Sequence, residues 1–214
     1  MTTILRQGPA PAMARVTAIL VHGRGASASD IIGLASEIGA DDVAFIAPDA
    51  PGRTWYPYSF LVPMDRNEPY LTRSLDLVGS IVDDLTRQGV ERARIALAGF
   101  SQGACLSLEF AARHPGRYAG VIAFSGGLIG PPGTPRDYPG SFDGTPIFIG
   151  CSDADPHIPL ERVHESTSVL RRMGAAVDER IYPGMGHLVS EDEIQAAAAI
   201  LATPISDPAP RRNR

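Results

Sequence analysis

The chain has 214 residues, 44% of them apolar and 20% charged, which is the composition of one globular domain large enough to bury a core without disulfide staples. A formal charge of −5 argues against a partner held through a nucleic-acid backbone. All 19 basic residues are arginine, which excludes chemistry that needs a lysine amine: Schiff bases, pyridoxal phosphate, a Walker A phosphate loop or a Ser-Lys dyad.

Residues 1–13 are polar and rich in Pro and Ala, and read as a loose arm. A continuous apolar run, Val16–Val21, follows and stops at His22-Gly23. Runs of this kind, bounded by turn residues, suit strands buried on both faces. The spacing predicts further strands over Val43–Ala47, Ile95–Ala98, Gly120–Phe124, Pro146–Ile149 and Ala176–Tyr182, each stopped by Gly, Pro or Ser. Helical spacing falls between them, over 29–38, 70–88, 102–113, 159–173 and 191–201. The stripe Leu71, Leu75, Val78, Val82 and Leu85 marks the longest. Strand and helix in alternation predict an α/β fold: a mostly parallel sheet covered on both faces. The domain is expected over 14–203, followed by a mobile tail over 204–214. No run reaches the ~18 apolar residues of a membrane span, and the first residues lack a basic start with an apolar run. A cytoplasmic protein without membrane insertion is expected.

Ligands of such sheets bind at the carboxyl ends of the strands, so the residues just after each strand carry the functional reading. After the third predicted strand comes Gly99-Phe100-Ser101-Gln102-Gly103, a Gly-x-Ser-x-Gly between strand and helix. A sharp strand-to-helix turn holds the central hydroxyl out at a helix N-terminus, where developing negative charge is favoured. Ser101 is the candidate nucleophile. Its base must follow it in the chain, and His187, in the turn Pro183-Gly184-Met185-Gly186-His187, is the candidate. His22 precedes the serine, His114 ends a helix, His164 lies within one, and His157 stands too close to the acid. The acid is expected in the loop 150–159, which offers Asp153 and Asp155; Asp155, held extended by Pro156, is favoured, while Asp153 could cap the turn. Oxyanion donors are expected from the backbone N–H of Gln102 and of Arg24 in the loop after the first strand. The cluster Trp55–Phe60, Trp55 and Tyr56 foremost, follows the second strand and could wall the substrate pocket or plug the core. The Pro-rich segment 130–145 is a second possible wall, or a plain surface loop. Cys105 and Cys151 have no metal-ligand spacing and read as two buried thiols; no metal or cofactor is called for.

These residues resemble the phospholipase/carboxylesterase family of small α/β-hydrolases, which includes carboxylesterases, lysophospholipases and acyl-protein thioesterases. The likeness runs from about Val16 to Leu201. It is carried by His22-Gly23-x-Gly25, Ala47-Pro48-x-Ala50-Pro51, Gly99-Phe100-Ser101-Gln102-Gly103, Phe124-Ser125-Gly126, Asp155-x-x-Ile158-Pro159 and Gly184-Met185-Gly186-His187. The resemblance implies an α/β-hydrolase fold without a substantial cap domain. It implies Ser101, Asp155 and His187 as the triad, and Arg24 and Gln102 as oxyanion donors. Two segments depart from the thioesterase pattern: Arg24-Gly25-Ala26-Ser27, where those members often carry Leu-Gly-Asp, and Arg53–Phe60. The expected function is a serine carboxylesterase acting on small esters with short- to medium-chain acyl groups, as a monomer or homodimer. The alternatives are a lysophospholipase or acyl-thioesterase and, in a different class, a non-catalytic binding module on the same scaffold.

Overall fold

A computed structural model of the protein describes residues 3–204. Seven strands form one sheet: β1 (Ile4–Gln7), β2 (Val16–Val21), β3 (Val43–Pro48), β4 (Ile95–Phe100), β5 (Gly120–Phe124), β6 (Pro146–Ser152) and β7 (Ala176–Tyr182). Their order across the sheet is β1-β3-β2-β4-β5-β6-β7. All neighbouring pairs are parallel except β1 with β3. Every residue of β2, β3 and β5 is buried, which is why these strands read as unbroken apolar runs.

The helices are α1 (Ala28–Ile31), α2 (Gly33–Ile38), α3 (Tyr70–Arg87), α4 (Gln102–Arg113), α5 (Leu160–Arg172) and α6 (Glu191–Ala202). Alternate residues of the central strands serve opposite faces. Ile19, Val21 and Leu97 pack with the apolar sides of α3, α4 and α5. Ala18, Leu20, Ala96 and Ala98 pack with α1, α2 and α6. The stripe Leu71, Leu75, Val78, Val82 and Leu85 is the buried side of α3. This is the doubly covered sheet of an α/β-hydrolase, and no cap domain stands over it among the described residues.

Two sequence expectations change. The arm over 1–13 is not loose throughout: Ile4–Gln7 pairs antiparallel with β3, Leu5 facing Ala47, and closes that edge of the sheet. The single helix expected over 29–38 is two short ones that meet at Ile32. The tail expected over 204–214 lies outside the described residues from 205 onward.

β2 sits between β3 and β4, so the chain leaves it first toward one edge of the sheet and then returns to its other side. Loops after β2 and β4 therefore diverge and leave a crevice at their carboxyl ends. The loops after β6 and β7 reach the same end of the sheet.

Candidate active site

The turn after β4 is set by steric exclusion. A Cβ at Gly103 would stand 2.0 Å from the Val21 carbonyl oxygen and 2.6 Å from that of His22. Glycine therefore lets the start of α4 lie directly on the end of β2. The strand-to-helix turn forces Ser101 to φ 55 and ψ −117, a conformation that L-residues adopt only when their surroundings impose it. Its N–H donates to the Phe124 carbonyl at 2.9 Å, which ties the turn to β5.

His187 reaches Ser101 from the loop after β7. Its Nε2 lies 2.8 Å from Ser101 Oγ, and its Nδ1 lies 2.7 Å from Asp155 Oδ2. The Asp155 side chain is fully buried and that of His187 is 17% exposed. The second carboxylate oxygen, Oδ1, accepts the N–H groups of His157 at 2.8 Å and Ile158 at 3.1 Å. Burial works against the charge on Asp155, but the hydrogen bond with His187 and those two backbone donors outweigh it and hold the carboxyl below its ordinary range. The carboxylate therefore stays ionised and favours an Nδ1–H on His187, which leaves Nε2 free to accept a proton from Ser101.

Asp153 goes elsewhere. Its Oδ1 accepts the Gly184 N–H at 2.8 Å, while Ser152 Oγ accepts the Gly186 N–H at 3.0 Å. The two side chains beside Asp155 thus hold the turn that delivers His187. His22 is buried and occupied: its Nε2 accepts the Ala50 N–H at 3.0 Å and its Nδ1 faces the Gly23 carbonyl at 2.7 Å. Burial lowers its pKa and keeps it neutral.

A cleft of about 510 Å³ opens over Ser101 and His187. Arg24 and Gln102 both line it. Neither backbone N–H has an acceptor among the described residues, so both are available to a ligand oxygen. Tyr56, Phe60, Phe100, Cys105 and Ile158 supply apolar surface. The Phe100 ring packs against His187 with centroids 4.8 Å apart, and His157 meets it edge-on at 4.9 Å. Burial pushes the Cys105 thiol up to about 12, so it is a neutral part of the lining rather than a second nucleophile.

Trp55 and Tyr56 part company. Tyr56 lines the cleft, but Trp55 does not. The indole is 1% exposed, donates from Nε1 to the His22 carbonyl at 2.8 Å, and packs against the His22 ring at 4.9 Å. It plugs the core behind the wall. Segment 130–145 contributes nothing to the cleft either. It is held on the α5 side, where Arg136 bonds the Ile129 carbonyl at 2.6 Å and Glu165 at 3.1 Å. Phe60, part of the aromatic cluster offered as a wall, lines the cleft, whereas the sequence reading missed Phe100, Cys105, His157 and Ile158: Phe100 ends β4, Cys105 lies in α4, and the other two follow β6. Both cysteines are free and buried. Among the described residues, no group of three or more His, Cys, Asp or Glu could hold a metal ion, and no helix is long and apolar enough to cross a membrane.

The sheet order, the strained serine turn and the cleft over it define the α/β-hydrolase class. Within that class, the chain belongs to the phospholipase/carboxylesterase family, which it matches over residues 9–205. A phospholipase/carboxylesterase structure from Dyadobacter fermentans is 42% identical, with a TM-score of 0.91 over 95% of this chain and 97% of that one. An acyl-protein thioesterase 1 of Neurospora crassa is 30% identical, the match covering 92% of this chain and 91% of the relative. A structure of the esterase PE8 shares the fold at 24% identity and a TM-score of 0.76. Family and relatives make this chain an ester hydrolase.

Proposed function

We propose that the protein is a serine carboxylesterase that hydrolyses esters of short- to medium-chain acids through an acyl-enzyme. Ser101 Oγ attacks the ester carbonyl carbon while His187 Nε2 takes its proton. Asp155 stabilises the resulting imidazolium. The tetrahedral oxyanion is held by the N–H groups of Arg24 and Gln102. Collapse breaks the bond to the alcohol oxygen, which leaves with the proton from His187. Water then attacks the acyl carbon, with His187 again as base, and releases the acid and Ser101.

The observation that carries this reading is the chain of contacts from Asp155 to His187 at 2.7 Å and from His187 to Ser101 at 2.8 Å. The chain-length limit rests on the rigid rings of Tyr56 and Phe60 in the lining of the cleft. A second reading, thioester hydrolysis, is favoured by the acyl-protein thioesterase among the relatives. A panel of nitrophenyl esters and matched thioesters of increasing acyl length tests both. Each buried methylene adds roughly 0.8 kcal/mol, about fourfold in kcat/KM, until the cleft is full. The expected profile peaks at short or medium length with esters preferred. A profile that climbs through long acyl chains, or a thioester preference at every length, overturns that specificity.

A further inference from the structure

The two proposed oxyanion donors belong to different elements, and their backbones alone do not fix their relative position. The Gln102 N–H sits at the start of α4, pressed against β2. The Arg24 N–H lies in a loop flanked by glycines on both sides. The Gly23 carbonyl, in the same peptide plane as the Arg24 N–H, meets His22 Nδ1 at 2.7 Å and accepts the Ala26 N–H at 3.2 Å, but Gly25, with φ +78 and open space around it, leaves the other side of Arg24 weakly held by its own backbone.

Side chains supply the restraint, and they converge on one segment. Arg24 Nη1 donates to Thr54 Oγ1 at 3.1 Å and to the Pro57 carbonyl at 2.8 Å, and Nη2 donates to the Tyr58 carbonyl at 2.7 Å. Gln102 Oε1 accepts from the Trp55 N–H at 3.0 Å and from Thr54 Oγ1 at 3.2 Å, while Nε2 donates to the Tyr56 carbonyl at 2.8 Å. The Thr54 hydroxyl is thus shared: it accepts from Arg24, and its one proton faces both Gln102 Oε1 and the Tyr56 carbonyl, the latter at 3.3 Å. The Gly25 N–H donates to the Arg53 carbonyl at 2.7 Å and extends the same strap. Behind it, Trp55 and Ser74 anchor the segment to the core, the Ser74 hydroxyl donating to the Trp55 carbonyl at 2.7 Å.

We propose that the Arg24 side chain and the Thr54 hydroxyl are positioning residues for the oxyanion pocket, clamping segment 54–58 across the two loops whose N–H groups face the substrate oxygen. The inference rests on the serine-hydrolase reading above. Its physical content is differential: the clamp orients donors that matter most when the carbonyl oxygen becomes charged, so its loss weakens transition-state binding more than substrate binding. An arginine serves here because a planar fork can satisfy a hydroxyl and two carbonyls at once. Its guanidinium has no carboxylate partner among the described residues, so the tether is built from neutral acceptors.

The test compares Arg24→Met, Thr54→Val and Thr54→Ser with the wild type. The readouts are kcat and KM for a neutral nitrophenyl ester, and Ki for an alkylboronic acid, whose tetrahedral serine adduct places an oxygen in the same pocket. Methionine keeps the apolar stem and removes the donors; valine is isosteric with threonine and removes the bridge. Expected are a loss of roughly 10- to 100-fold in kcat for Arg24→Met and a smaller loss for Thr54→Val. KM should change little, boronate Ki should weaken in parallel with kcat, and Thr54→Ser should restore both. Wild-type kcat and Ki in Thr54→Val would overturn the clamp, even if Arg24→Met failed to fold. So would a loss in Arg24→Met confined to esters that carry a carboxylate, which would make Arg24 a reader of substrate charge. Failure of the underlying reading is a separate result: a Ser101→Ala variant that turns over the ester as well as the wild type does.

Discussion

The two halves of the candidate site are held by different forces. On the nucleophile side, backbone lies against backbone: the turn at Ser101 is wedged between β2, β5 and α4, and a single added methyl at Gly103 would overlap a carbonyl oxygen at 2.0 Å. On the base side, the loop that carries His187 is tied down by side chains. Asp153, Ser152 and Asp155 each bond to it, and the space around Gly184 is open. A packed turn has no alternative conformation to visit, whereas a tethered loop keeps its geometry only while its acceptors stay in place. The nucleophile side should therefore be sensitive to volume, and the base side to charge.

Removing one reacting group from either side gives the largest effects. Ser101→Ala deletes the nucleophile and adds no bulk; turnover should fall on the order of 10⁶, by analogy with serine proteases, with the melting temperature preserved. Assay against a nitrophenyl ester together with circular dichroism checks both parts. Asp155→Asn keeps the shape but loses the charge that fixes the His187 tautomer. Its turnover should fall by roughly 10⁴ if the protease precedent transfers.

Volume separates the two sides next. Gly103→Ala should destabilise the fold by about 4 kcal/mol or more, because the Cβ meets immovable backbone. Gly184→Ala meets nothing and suffers only a left-handed φ of +65, a strain of about 1–2 kcal/mol. Denaturant unfolding of both variants would break the comparison if Gly184→Ala proved the more damaging. Within the base side the two carboxylates differ, because one need only accept a hydrogen bond and the other must hold a charge. Asp153→Asn keeps an acceptor for the Gly184 N–H, and should cost less than about tenfold in turnover, far below Asp155→Asn.

The smallest effect is one of acid. The folded-state carboxyl of Asp155 lies below its unfolded value, so the stability it contributes is complete above about pH 4 and is lost as pH falls through the folded value. The protection factors of the His157 and Ile158 amides, which bond to Asp155, should fall in that window. Ser101 and Cys105, whose N–H groups bond to the backbone carbonyls of Phe124 and Ser101, should remain protected.

The same division explains what the sequence reveals. The buried strands are legible because a sheet covered on both faces demands unbroken apolar runs. Ile4–Gln7 is not, since an edge strand of two apolar and two polar residues has no such pattern. Ser101 is legible because the backbone collision at its turn leaves glycine as the residue that fits at 103. The acid is less so. Asp153 and Asp155 both point to the end of the sheet, and only the fold shows one bonded to Gly184 and the other to His187. The cleft wall is least legible. Neighbours in sequence part there, Tyr56 to the cleft and Trp55 to the core, and their directions are set by Gln102 and His22, more than 30 residues away in the chain. Arg24 shows the limit from the other side: its backbone could be placed from the loop after β2, but its side-chain tether to Thr54, Pro57 and Tyr58 has no signature in the sequence.

The central claim is that the packed turn presents an activated serine to a base held by charge. Labelling with a fluorophosphonate, followed by peptide mass spectrometry, tests it most directly, because the serine oxygen bonds to phosphorus and expels fluoride rapidly only when a base removes its proton. The account predicts one adduct per chain, on Ser101, absent in Ser101→Ala and formed far more slowly in Asp155→Asn. An adduct on another residue, or labelling of Ser101 at the same rate without the Asp155 charge, would contradict it.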